Sequence, residues 1–212
     1  MRLRCAILVG VAFGCFGLSA PVTAGLREDL LEAFRRGGDT AVVQLLNTLA
    51  DRGNSEAQTE LGIRSAQGTG APQDYARAWT LLGKAADQGD PKAQSFIAAM
   101  YMNGWGAPKD DSKAAEWYRK AAGSGDTIAP AVLSAWYKQG RLGQRDMAKA
   151  LMWQEVLVFN VKNDTSTKED MNDGVNKAFL SAKSNSSAED VQEGHRLYLE
   201  YISKHSRHTR TP

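Results

Sequence analysis

His195, His205 and His208 are the three imidazoles of the chain, and the last two stand three residues apart. That spacing puts both rings on one face of a helix, where they could meet a metal ion. Zinc takes three or four ligands, however, and no cysteine lies near them to complete a set. A solvated tail accounts for them, and no metal site is expected. Asp164, Glu169, Asp170 and Asp173 could supply a general acid and a general base. A catalytic carboxylate needs burial to raise its pKa, and these four flank the polar stretch from Asn163 to Thr167, so they read as a solvated face. Gly68-Thr69-Gly70 and Gly104-Trp105-Gly106 have the flexible backbone of a phosphate loop, but no Lys-Ser or Lys-Thr follows and no strand precedes. No nucleophile with a partnered base can be read, so no catalytic residue, enzymatic activity or cofactor is expected.

Trp105 stands apart, because a tryptophan between two loop glycines either protrudes as an interface anchor or is covered by a loop tucked over the following hairpin. Both readings stand at the level of sequence.

The ends of the chain bear on location. Arg2 and Arg4 precede an apolar run from Ala6 to Leu18, and Val22-Thr23-Ala24 offers the small residues a signal peptidase reads before Gly25. The run falls short of the roughly 20 residues a permanent span needs. A cleaved export signal over residues 1–24 is expected, with a periplasmic or secreted product and no transmembrane segment after cleavage. Cys15 lacks the leucine three residues upstream that a lipid anchor would call for, so none is expected. Cys5 and Cys15 are the two cysteines, and both leave with the signal, so the mature chain has no disulfide and no thiolate chemistry. Cleavage also removes Arg2 and Arg4 but no acid, leaving 24 basic against 24 acidic residues. Nucleic acid binding, which wants a one-sided basic excess, is not expected.

Three stretches repeat one pattern at a spacing of 36 residues. Ala57, Ala93 and Ala129 stand in register, as do Leu61, Ile97 and Leu133, and Gly68, Gly104 and Gly140. The match continues through Asp74, Asp110 and Asp146, through Ala78, Ala114 and Ala150, and through Leu81, Trp117 and Trp153. A period in the thirties with two apolar helical stretches predicts stacked helical hairpins, since one hairpin cannot bury its own apolar face. Each aspartate falls where a helix N-cap belongs, and each glycine where a helix ends.

Leu26 to Arg36 reads as a first helix ended by Gly37-Gly38. The stripe of Val42, Leu45, Leu46, Leu49 and Ala50 then makes the second helix of a degenerate leading hairpin, residues 25–54. Three full units occupy 55–162. In the third, Leu157, Val158 and Val161 replace the closing Ala-Ala and Gly, so its second helix should pack against the C-terminal segment and not against a fourth unit. Two capping helices are expected in 163–205. One runs from about Lys168, and the other is opened by Ser186 with Glu189 as a capping box. Residues 206–212 read as a basic disordered tail.

The combination resembles the Sel1-like repeat family, a relative of the tetratricopeptide repeats. The fullest match is Ala93, Ile97, Tyr101, Gly104-Trp105-Gly106-Ala107-Pro108-Lys109-Asp110, Lys113-Ala114, Trp117-Tyr118-Arg119-Lys120-Ala121-Ala122 and Gly125. In the first unit Ser65 replaces the tyrosine and Leu81-Leu82 the Trp-Tyr pair; in the third, Leu142 replaces the second glycine. The resemblance implies an all-α, right-handed α-solenoid with N- and C-terminal capping helices. It also implies an adaptor role, seen in exported bacterial members that assemble or regulate envelope complexes. Some exported relatives are cysteine-rich and act weakly on penicillins. Without those cysteines, a weak cell-wall-directed hydrolase is the alternative and not the expectation.

In such stacks the first helices line the concave side. Stepping one residue beyond each core position picks out Gln58, Thr59, Ile63 and Gln67, then Ser95, Ala99, Met102 and Asn103, then Ala131, Ala135, Lys138 and Gln139. That lining is small, mostly uncharged and mildly apolar. It suits a protein or peptide partner in the envelope, and Thr59, Ile63, Gln67, Ser95, Ala99, Met102, Asn103, Trp105, Ala135 and Lys138 are the expected contacts. A merely solvated face is the competing reading.

Overall fold

A computed structural model describes residues 25–164 and 169–205. The expected export signal with Cys5 and Cys15, residues 165–168, and the tail with His208 lie outside the described residues. The chain forms α1 (Gly25–Asp51), α2 (Ser55–Gln67), α3 (Tyr75–Asp87), α4 (Pro91–Asn103), α5 (Asp111–Gly123), α6 (Ala129–Gln139), α7 (Met147–Asn163), α8 (Glu169–Ser184) and α9 (Ala188–His205). Among the described residues there is no strand, and no helix is long and apolar enough to cross a membrane. Gly37 and Gly38 break α1 into two arms, Gly38 at φ 62° and ψ −152°, where the diglycine predicts an end and a new start.

Hairpins α2–α3, α4–α5 and α6–α7 pack internally, and α3 against α4 and α5 against α6 pack each unit on the next. The residues in register are the core: Ala57, Ala93 and Ala129, then Leu61, Ile97 and Leu133, are all buried. Small side chains at the first set let helices approach, and the larger ones fill the space; truncating any of the latter to alanine would cost about 2–5 kcal/mol. Tyr101 and Trp117 touch the buried clusters on both sides of them, so the core is continuous along the stack.

Asp74, Asp110 and Asp146 cap α3, α5 and α7, accepting from the amides of Arg77, Lys113 and Lys149 at 2.9, 2.9 and 2.8 Å. Asn54 and Asp90 do the same for α2 and α4, accepting from Ala57 at 2.7 Å and Ala93 at 2.9 Å. Asp126 holds the start of α6 through the Ala129 amide at 2.5 Å and also accepts from Ser95 Oγ at 2.8 Å, which ties it to the preceding unit. An N-cap contributes roughly 1 kcal/mol, and the repeat supplies one at every turn of the chain into a full unit.

Unit boundaries are sealed by buried amides. Gln58 Nε2 donates to the Ala50 carbonyl at 3.0 Å, and Gln94 Nε2 to Ala86 at 3.2 Å. The third unit has Pro130 at this position, which offers no donor. There Asn160, reaching in from α7, donates to Ala122 at 3.0 Å and to the Asp126 carbonyl at 2.8 Å.

Helix α7 packs against the two C-terminal helices, as its apolar run predicts. Helix α9 lies on it closely, because at Gly194 a Cβ would fall 2.8 Å from the Ala148 carbonyl oxygen. Helix α8 also lies on α7, and α8 and α9 scarcely touch one another. The cap of α9 falls one residue later than the sequence suggests. Ser187, not Ser186, accepts from the Asp190 amide at 3.0 Å and donates to the Asp190 carboxylate at 2.6 Å, while Ser186 turns back to the Ala182 carbonyl.

Candidate functional site

Trp105 neither protrudes freely nor leans on the following hairpin. Its loop folds back over the preceding one. The Trp79 indole donates to the Trp105 carbonyl at 3.0 Å, and the Trp105 ring lies parallel to Tyr75, with centroids 6.4 Å apart and planes 11° apart. Phe96 of α4 meets it on another side at 6.2 Å. Even so, 36% of the residue remains exposed, so one surface of a large apolar ring faces solvent from a fixed position. Tyr75, Phe96 and Trp105 together form an aromatic platform at the end of α4.

Gly106 makes this approach possible. It adopts φ 71°, and an added Cβ would sit 2.7 Å from Tyr75 Cβ and 2.9 Å from Trp79 Nε1. Gly70 in the first unit plays the same part, with Val43 Cγ2 2.9 Å from its Cβ position. Each loop therefore docks on the second helix of the unit before it. In the third unit Leu142 occupies the glycine position, and the docking falls to Arg141, whose guanidinium makes two hydrogen bonds of 2.7 Å to Asp111 at the start of α5. Arg141 also lies over the Trp136 ring at 4.2 Å. Hydrogen bonding to Arg141 holds the Asp111 carboxyl below its ordinary value.

The expected contact residues divide. Gln67, Asn103, Ala135 and Lys138 are exposed along the first helices, and Ile63, Ala99 and Met102 are half-buried beside them. Ile63, Ala99 and Ala135 stand in register, so they form one row across α2, α4 and α6. Thr59 and Ser95 are corrections: they are 2% and 8% exposed and cannot meet a partner. Helices α2 and α4 are enclosed on two sides, by the hairpin mate and by the adjoining unit, so there the residue beside the core alanine is core as well. Gln58 is buried for the same reason, and its amide seals the unit boundary. Ala131, in register with Thr59 and Ser95, is exposed.

Sequence reasoning missed Phe96 and Tyr75. Phe96 carried a signal, since it is a large apolar residue one helical turn before Ala99. Tyr75 carried none, because its role depends on the backward fold of the loop. The groups weighed for chemistry are dispersed: His195 Nδ1 lies 2.9 Å from Glu155 Oε2, the His205 ring stacks on Tyr201 at 4.0 Å, and Asp173 is exposed. The side chains of Glu169 and Asp170 lie outside the described part. Among the described residues no group of three or more His, Cys, Asp or Glu is placed to hold a metal ion.

The Sel1 repeat family model matches residues 55–90, 91–126 and 131–153. The chain carries three Sel1 repeats. The third Sel1 match stops at Trp153, just before Leu157, Val158 and Val161 replace the small closing residues. Among solved structures the Sel1 chain is similar to a Sel1 repeat protein from Oxalobacter formigenes, at 29% identity and a TM-score of 0.52. That match covers 65% of this chain and 96% of that one. It is also similar to c5321, a protective antigen of uropathogenic Escherichia coli that displays an SLR fold, at 22% identity and a TM-score of 0.46. There the match covers 79% of this chain and 42% of that one. No curated protein matches it. Sel1 repeats generally mediate protein–protein interaction, and their solenoids are typically non-catalytic scaffolds.

Proposed function

We propose that this Sel1-repeat chain is an exported adaptor that holds a protein or peptide partner on the face of α2, α4 and α6, with Trp105 as its anchor, in assembling or regulating an envelope complex. The observation that carries the reading is the platform of Tyr75, Phe96 and Trp105, a half-exposed tryptophan fixed by two rings and a backbone hydrogen bond beside small and uncharged side chains. Tryptophan at such a position gives large contact area for little lost freedom, because its rotamer is already set before docking. Gln67 and Asn103 at the helix ends offer side-chain amides to a peptide backbone, and Ala99 and Ala135 leave room for its side chains.

Export rests on Arg2, Arg4, the Ala6 to Leu18 run and Val22-Thr23-Ala24. Mass spectrometry of the protein recovered from its native host tests that part, with an N-terminus at Gly25 expected. An intact Met1 in a cytoplasmic fraction would contradict it. For the adaptor itself, a photo-reactive residue at Asn103 should capture a discrete protein, and capture should fall when Trp105 is replaced by alanine. Capture that ignores Trp105 would remove the anchor from the proposal.

A further inference from the structure

Helices α5, α6, α7 and α9 border a cleft of about 230 Å³ whose lining has little in common with the aromatic platform. Its cations are Arg119, Lys149 and Lys204; its acid is Glu200; its apolar walls include Tyr137, Trp153 and Tyr201. Lys149 is bonded to Asp146 at 2.9 Å, and Lys204 to Glu200 at 2.6 Å. Arg119 meets no carboxylate among the described residues and donates to the Tyr137 hydroxyl at 3.1 Å. The lining therefore keeps a net positive charge, with one guanidinium available for an anion.

Register separates what the repeat needs from what is particular to this place. Lys149 over Tyr137 at 5.5 Å repeats Lys113 over Tyr101 at 5.6 Å and belongs to the scaffold. Arg119 does not repeat, since Gly83 and Glu155 stand 36 residues to either side. Two donors of the lining are also unmet. Trp153 is 3% exposed, yet its Nε1–H has no acceptor among the described residues, and the buried Tyr201 hydroxyl has no partner there either. Burial pushes the Tyr201 hydroxyl up to about 12, so it remains a donor at neutral pH. Both atoms are enclosed by the protein, so Trp153 and Tyr201 meet the cleft with ring surface and not with a polar atom.

We propose that this cleft binds a small organic anion, a carboxylate or phosphate group on a flat apolar body, with Arg119 taking the charge and the Trp153 and Tyr201 rings taking the body. Planar recognition of either head group is what a free guanidinium does best. The volume suits a molecule the size of benzoate or phenyl phosphate.

Titration calorimetry on the full chain with benzoate, phenyl phosphate, benzamide and inorganic phosphate tests this. One or both aryl anions should bind saturably at one site, with neutral benzamide at least tenfold weaker. The preferred anion tells a carboxylate source from a phosphate source. Arg119→Gln should weaken the anion at least tenfold with unchanged thermal unfolding. Absence of saturable binding, equal binding of benzamide, or an unaffected Arg119→Gln would overturn the proposal. Inorganic phosphate binding as tightly as phenyl phosphate would overturn the apolar half of it.

Discussion

Arg141 grips the Asp111 carboxylate through Nε and Nη2, both at 2.7 Å, at the register position where the unit before it sets Trp105 parallel to Tyr75. Trp105 and Arg141 are 36 residues apart, as are Tyr75 and Asp111. One mechanical task, docking a loop on the preceding unit, is thus done by stacked rings in one place and by an ion pair in the next. The ion pair satisfies itself, whereas the ring stack leaves an apolar surface exposed. The proposed adaptor role draws on that difference at the Trp105 loop.

The ion pair gives a pH signature. Asp111 has a folded pKa below its unfolded value of 3.8, so its contribution is present above that value and is lost as pH falls through the depressed folded one. Asp111→Asn is expected to lower stability by about 1 kcal/mol at neutral pH, the upper range for a partly exposed bidentate pair. Urea unfolding at several pH values should show the gap between wild type and variant closing toward strong acid. A gap that is constant with pH would assign the loss to packing and not to charge.

Gly106→Ala should be among the costliest alanine substitutions at a glycine. The left-handed backbone costs roughly 1 kcal/mol for any other residue, and overpacking against Tyr75 and Trp79 adds about 1–3 kcal/mol. Gly89 also has positive φ, at 86°, but nothing lies within 4 Å of its Cβ position. Gly89→Ala therefore carries the backbone cost alone, and thermal unfolding of the two variants separates conformation from contact.

Asn160→Ala leaves the Asp126 carbonyl without the Asn160 amide, while the Ala122 carbonyl keeps the Gly125 amide at 3.2 Å, an expected loss of about 1–2 kcal/mol. Pro130→Gln restores the side-chain amide that Gln58 and Gln94 carry at this register. In the Asn160→Ala background it should recover part of that loss, while in the wild-type background it should bring no gain. Denaturant unfolding of the four proteins forms the cycle that checks this.

Much of the stack could be read from the spacing alone, because Ala57, Leu61, Gly68 and Asp74 recur with a fixed chemical reason at each place: close approach, core volume, helix end and helix start. Even the break in α1 was legible in Gly37-Gly38. Burial beside the core was not. Thr59 and Ser95 look like surface residues by type and by one-residue offset, and it is the flanking units, not the helix's own periodicity, that enclose them. The direction in which the Trp105 loop folds was also hidden, since it depends on Tyr75 and Trp79 some 30 residues earlier. The shift of the α9 cap from Ser186 to Ser187 reflects two adjacent serines that each have an acid three residues on.

Trp105→Ala has two separable effects. Losing the stack on Tyr75 should cost about 1 kcal/mol of stability, and losing the anchor should cost about 2 kcal/mol of partner affinity, near thirtyfold. Phe96→Ala should weaken partner binding less, because the Trp105 ring keeps Tyr75 beneath it. Affinity and unfolding measured on the same samples distinguish the two effects.

The most direct test of the binding face is site-specific photo-cross-linking in the native host, with the reactive residue placed in turn at Gln67, Ala99 and Asn103 on the first helices and at Lys84 and Glu116 on the second helices. One discrete adduct is expected from the first three positions and absent from the last two, and it should disappear when Trp105 is also alanine. Adducts of equal yield from both sets, or an adduct at Asn103 that survives loss of Trp105, would contradict the assignment of this face as the place where the partner is held.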